Sequence, residues 1–246
     1  MRWSFPLDTL TLRLHATVNR LASCILFFNT GAGTRSLYGR ARTMKRFWCL
    51  FLTLPLGAAC AQAIDNAFVR ATRATTTCAS GTTPGCADRI IVALAATEIQ
   101  VAGTQRSLKR GELAVFGPAD SYSVNGGDFI EVVIKPDHPA SNAPGEMIAA
   151  EKNNTLFDAH DFFVFEEKLA PGDTRARHSH SQRVVIQLNR TTLRQWPDNK
   201  PELIMEIMPD AIGFSAPVIH VVENIGATPL RGVIIEFKPG RAGRDR

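Results

Sequence analysis

Residues 172–182 read Gly-Asp-Thr-Arg-Ala-Arg-His-Ser-His-Ser-Gln, and Arg183-Val184-Val185-Ile186 follows directly. Alternate residues of a β-strand share a face, so His178 and His180 project to one side, with Gln182 next along it. The branched apolar run behind them is strand chemistry. By itself a His-x-His pair also fits packed or surface histidines. It gains meaning from a third imidazole, His220, which arrives in another apolar run near the C-terminus.

From residue 64 onward, short runs of Val, Ile and Phe are broken by Gly, Pro, Asn and Asp, the pattern of many short strands. Strands are predicted over Arg89 to Leu94, Glu112 to Phe116, Phe129 to Ile134, Phe162 to Phe165, Arg183 to Leu188, Glu202 to Ile207, Pro217 to Val222 and Gly232 to Phe237. Only Glu146 to Asn153 reads as helical. The fold class is therefore all-β.

The pattern also repeats. Asp88-Arg89-Ile90-Ile91-Val92-Ala93-Leu94 lines up with Gln182-Arg183-Val184-Val185-Ile186-Gln187-Leu188. Gly111 to Phe116 lines up with Pro209 to Phe214, and Glu131 to Pro136 with Val233 to Pro239. Three matches in the same order indicate a duplicated unit. The join, Pro136 to Glu151, is rich in Pro, Ser, Asn and Gly, which is linker composition.

Gly172, five residues, His178, one residue, His180 resembles the first signature of the cupin superfamily. Asp210, with His220 ten positions later and Asn224 four beyond it, resembles the second. With the repeat, the chain resembles a bicupin: two tandem jelly-roll β-barrels, a degenerate one over 64–148 and one carrying the histidine site over 149–246. Such barrels close their sheet edges and hold a ligand in the mouth. The resemblance implies a divalent metal on His178, His180 and His220, with Gln182 coordinating or bonding a bound water. Three imidazoles suit Fe, Mn, Zn, Ni and Cu alike. A site of this kind serves metal-dependent oxygenase or isomerase chemistry on a small molecule; a non-catalytic binder of a sugar-like ligand and an oligomeric structural protein are the alternative classes. Cupins commonly pair barrels, so a homo-dimer is compatible.

The chain departs from the family at informative places. A glutamate ligand is usual four or five residues after the second histidine, where Val184 and Val185 stand here. Pro209 replaces a glycine, and Ser215-Ala216-Pro217 replaces Pro-x-Gly. In the first half Pro84, Cys86, Asp88 and Tyr122 take the places of His178, His180, Gln182 and His220, which leaves no metal site of this arrangement there. Arg175 and Arg177 are expected on a solvated outer face, the alternative being to steer an anionic ligand toward the site; Glu166 and Glu167 are expected on a solvated edge, replacing the missing carboxylate only if the strand turns them inward; and His138 and His160 are expected outside the site.

Composition narrows the partners. The chain carries 28 Lys and Arg against 23 Asp and Glu, a formal charge of +5. Residues 1–63 hold eight of the bases and one of the acids, leaving 20 against 22 in the remainder, about −2. The basic balance thus belongs to the leader, and no nucleic-acid partner is implied.

That leader has its own pattern: Met44-Lys45-Arg46, an apolar stretch from Phe47 to Leu56, then Ala61-Gln62-Ala63. This is the order of a secretory signal peptide over 44–63, with an apolar run too short to span a bilayer and no transmembrane span in the mature chain. Residues 1–43 then read as an upstream extension ahead of the true start at Met44, the rival being an Arg-rich transit leader. Cys60 after Gly57-Ala58-Ala59 resembles a lipoprotein attachment site, but Gly57 stands where a branched residue is usual. Cleavage after Ala63 leaves a periplasmic or secreted chain with Cys78 and Cys86, eight positions apart and suited to a disulfide worth at most ~2 kcal/mol. N-terminal sequencing of the exported protein is expected to begin at Ile64, and thiol labelling of the mature chain to require prior reduction.

Overall fold

In the computed structural model the described residues are 64–80, 87–149 and 153–243. The leader, Cys86, Pro84 and the site of signal cleavage lie outside them. Among the described residues seventeen strands are formed: β1 (Ile64–Asp65), β2 (Val69–Arg73), β3 (Arg89–Ala93), β4 (Thr97–Val101), β5 (Thr104–Leu108), β6 (Leu113–Phe116), β7 (Tyr122–Gly126) and β8 (Phe129–Ile134) in the first half; β9 (Asn153–Asp158), β10 (Phe162–Leu169), β11 (Thr174–His180), β12 (Arg183–Gln187), β13 (Thr191–Pro197), β14 (Leu203–Ile207), β15 (Ile212–Ser215), β16 (Val218–Asn224) and β17 (Leu230–Phe237) in the second. Each expected strand is present with small shifts of its ends. The expected helix is not: Glu146–Ala149 is irregular, and Asn153 already belongs to β9.

Each half contributes one large and one small antiparallel sheet. The first half forms β1-β2-β8-β3-β6 and β5-β4-β7, the second β15-β12-β17-β10-β9 and β11-β16-β13-β14. The two five-stranded sheets share one core. Ile90 and Val92 of β3, Ile130, Val132 and Ile134 of β8, Val184 and Ile186 of β12, and Val233, Ile235 and Phe237 of β17 pack in a single buried cluster. The strand period then fixes the opposite faces. Ile91, Ala93 and Phe129 turn into the first barrel and pack with Ile99, Phe116 and Tyr122. In the second barrel Arg183, Val185, Gln187 and Ile234 turn instead toward a cavity.

Register tests the duplication residue by residue. Arg89 pairs with Val133 on β8, and Arg183 with Glu236 on β17, so the closing strands align as read from the sequence. On the other side Arg89 pairs with Phe116 but Arg183 with Ser215. The equivalent of Phe116 is therefore Ser215, one position beyond the Phe214 that side-chain likeness suggested. The likeness of the two phenylalanines misled there, since Phe116 packs inside the first barrel whereas Phe214 packs against the shared core.

The junction between the halves is well bonded. Arg110 Nη2 lies 2.6 Å from Asp210 Oδ1, and Arg73 Nη2 lies 3.4 Å from Asp210 Oδ2. Asp210 has φ of 62°, a left-handed conformation that Asp tolerates by local hydrogen bonding. The second-signature acid thus builds a turn and a clamp between barrels. In the linker, His138 is buried, with Nε2 2.9 Å from Asp161 Oδ2. Replacing Ile90, which has no exposed surface, by Ala should cost about 2–5 kcal/mol, and because the core is common to both halves, chemical denaturation should remain a single transition in variant and parent.

Candidate metal centre

β11 begins after Gly172, whose φ of 80° suits a residue without Cβ. The strand pairs with β16 in a register that sets His178 directly opposite His220, while His180, two residues on, lies opposite Val218. Three imidazoles are thereby delivered to one interior patch by two strands. One nitrogen from each ring falls within 4.8 Å of the others, and all three side chains are buried. The ring centroids are 4.6 Å apart for His178 and His220, 4.8 Å for His178 and His180, and 5.5 Å for His180 and His220.

The outer nitrogens decide what the inner ones present. His178 Nδ1 lies 2.7 Å from the Ala176 carbonyl, His180 Nδ1 lies 2.7 Å from Glu236 Oε2, and His220 Nδ1 lies 3.1 Å from Gln195 Oε1. All three partners are oxygens that accept, so each neutral ring donates from Nδ1 and keeps a lone pair on Nε2. Those lone pairs converge. His178 Nε2 and His180 Nε2 are 3.1 Å apart, and His220 Nε2 is buried without a hydrogen-bond partner among the described residues. Two acceptors at that distance repel unless a cation or proton lies between them. A divalent metal fits this donor set.

Electrostatics keep the rings neutral. Burial is the largest cause of lowering in each case, taking His178 to about 4 and His180 and His220 to about 2, with Arg183 and Arg175 adding to it through space. Neutral imidazole is the ligating form, so protons compete weakly with a metal here.

Glu236 is the member that sequence reading missed. It accepts from His180 Nδ1–H, from the Ser181 amide at 2.7 Å and from Ser181 Oγ at 3.1 Å, and burial pushes its carboxyl pKa up. Its signal in the sequence is a charged residue inside the apolar run Val233-Ile234-Ile235-Glu236-Phe237, at the place that Val133 holds in the first barrel.

Gln182 must be corrected as a ligand candidate. β11 ends at His180, and Gln182 sits in the corner before β12, where its Oε1 accepts from Ser141 Oγ at 2.5 Å and from the Asn142 amide at 2.7 Å. The corner breaks the strand periodicity, and the Gln182 oxygen is spent on the linker. Gln195 is the amide that meets the cluster.

Other expectations also change. Arg175 is not on a solvated face; it is buried and pairs with Glu167. Glu166 is buried and bonded to Arg231 and Lys168, whereas Arg177 is exposed and paired with Asp198 and Glu146 as a surface residue would be. His160 is exposed. In the first barrel Tyr122 occupies the interior and donates to Glu131. Cys78 is buried, and the pairing with Cys86 lies outside the described residues.

Beside the histidines a cavity of about 310 Å³ opens between β12, β13 and β16, lined among others by His180, Arg183, Gln195, Met205, His220 and Ile234. That volume is at the small end for ligand pockets, roughly 300–1,000 Å³.

No protein-family model matches the chain, and no curated protein matches it. Solved structures do. A putative glyoxylate-induced protein from Pseudomonas aeruginosa superposes with TM-score 0.51 and 11% identity over 72% of this chain and 76% of that one. A cupin 2 conserved barrel domain protein from Leptotrichia buccalis gives TM-score 0.48 and 14% identity over 72% and 88%. A cupin domain from Bordetella pertussis gives TM-score 0.33 and 22% identity over 38% of this chain and 97% of its own. The chain shares its fold with the Pseudomonas aeruginosa protein over most of both lengths. At such identities the likeness concerns fold and not chemistry.

Acid should destabilise the metal-free chain. Histidines of the unfolded chain take up protons near 6.5, but His178 in the folded chain does so only near 4. Between those values the unfolded state binds more protons, so stability falls as pH drops through 6.5. The raised Glu236 carboxyl acts in the opposite sense, as one group against three. The melting temperature should fall from pH 7.5 to pH 5, and fall less in His220→Leu.

Proposed function

We propose that the C-terminal barrel binds one divalent transition metal through Nε2 of His178, His180 and His220, and that the cavity beside it receives a small molecule for metal-dependent oxygenase or isomerase chemistry. The reading is carried by the convergence of three Nε2 lone pairs, each fixed by an acceptor behind its Nδ1. Fe, Mn, Zn, Ni and Cu all accept three imidazoles. With three protein ligands, open positions remain for water or substrate. A metal held there supplies Lewis-acid polarisation of a carbonyl or a redox centre for dioxygen chemistry.

The chain's own residues do the rest. Glu236 and Gln195 hold two of the rings in their tautomer and orientation. Met205, Ile207, Val222 and Ile234 line the cavity with apolar surface, which restricts water and strengthens polar contacts inside. We further propose that the protein is exported and that Cys78 pairs with Cys86; the spacing of the two thiols and the signal-like leader support this reading.

Metal analysis of protein prepared without an affinity tag should find about one metal per chain, and His178→Ala or His220→Ala should lose it while circular dichroism stays that of a β-protein. A trace of metal only, even after reconstitution, would discard the metal reading in favour of a non-catalytic binder. Glu236→Gln should weaken metal binding about 10–100-fold without abolishing it. Oxygen uptake across enols, diketones and phenols separates an oxygenase from an isomerase.

A further inference from the structure

Arg183 is the inward-facing residue at the start of β12, and only 8% of its surface is exposed. Its Nη1 donates to the Ser181 carbonyl at 3.2 Å and the Ala216 carbonyl at 3.0 Å. Nε and Nη2 have no hydrogen-bond partner among the described residues, and the guanidinium forms no ion pair there. Glu236 and Glu167 act on it only through space. Both are committed elsewhere, Glu236 to His180 and Ser181 and Glu167 to Arg175. A buried cation without a contacting anion is costly, and the guanidinium fork matches a carboxylate.

The duplicated barrel supplies a comparison within the same molecule. Arg89 holds the equivalent register position. It is fully buried, and both of its terminal nitrogens are used by carbonyls: Nη1 by Cys78 at 2.5 Å and Ser80 at 3.5 Å, Nη2 by Asp120 at 2.7 Å and by Gly117. Where the histidine cluster is missing, the arginine is absorbed into loop structure. Where the cluster is present, half of the guanidinium fork is left to the cavity that His180 and His220 also line.

We infer that the small molecule taken by this cavity is a carboxylate, its charged oxygens held by Nε and Nη2 of Arg183 beside the three histidines. This rests on the metal reading above for the chemistry that follows binding, but the anion site itself is formed by the protein alone. Two acids also line the cavity: Glu167, which is held by Arg175, and Glu206, which is exposed to solvent, and neither bonds the Arg183 guanidinium.

The test is calorimetric binding of acetate, malonate and benzoate, each against its amide, to the full chain with and without metal. The acids should bind at least about tenfold more tightly than the amides in both forms. Arg183→Gln should erase that preference in the metal-free chain while metal content stays that of the parent, and Arg183→Lys should restore part of it. Equal binding of acids and amides by the metal-free parent, or an unchanged preference in Arg183→Gln, overturns the inference. A chain that takes up no metal refutes the metal reading, and the metal-free arm still decides the anion site. Should Arg183→Gln fail to fold, the acid-against-amide comparison on the metal-free parent decides between the two outcomes.

Discussion

The two large sheets bury one face each against the other, and almost everything else in the molecule follows from that contact. A strand committed on one side by Val184 and Ile186 has no freedom over where Arg183, Val185 and Gln187 point. The same holds for β17, where Val233, Ile235 and Phe237 enter the shared core and Glu236 must therefore face the barrel interior. A glutamate and an arginine are forced inward by the pleat of an otherwise apolar sheet. Neither would be tolerated there without partners. Glu236 finds them in Ser181 and His180, and Arg183 finds them in part.

Position alone does not make three imidazoles a ligand set; tautomer does. Had the groups behind Nδ1 been donors, each ring would have presented an N–H to the interior, and the cluster would repel a cation. A backbone carbonyl, a carboxylate and an amide oxygen enforce the other choice in all three rings. The lowered pKa values act in the same direction, since burial opposes the charge that would otherwise relieve the lone-pair conflict by protonation. The site is thus kept neutral and open to a cation.

The sequence disclosed the strands with a strong apolar signal, the duplication, and the three histidines. Strands such as β5 (Thr-Gln-Arg-Ser-Leu) and β9 (Asn-Asn-Thr-Leu-Phe-Asp) escaped because they are mostly exposed and carry little hydrophobic periodicity. Gln182 was misplaced for a sharper reason. Two-residue periodicity holds only while the strand continues, and β11 ends at His180. Glu236 and Gln195 were hidden because their importance lies in contacts across 56 and 25 residues of chain. Arg175 looked solvated since a charged residue on an alternating strand usually is; its partner Glu167 comes from a neighbouring element.

Comparison of the twins shows what loss of a site requires. In the first barrel the interior is occupied by Phe116 stacked on Tyr122, with centroids 4.1 Å apart, and Tyr122 and Thr77 bond Glu131. By register Phe116 stands where the second barrel has Ser215, so a large ring in one half corresponds to a small cavity-lining residue in the other. The arginines differ in the same way: loop carbonyls take both terminal nitrogens of Arg89, so those nitrogens need no anion. The second barrel has kept Ser215 small, its arginine half-paired and its histidines facing one another. Each of these features is unfavourable in an empty, rigid core, and a bound cation together with an anion would relieve the charge and lone-pair conflicts at once.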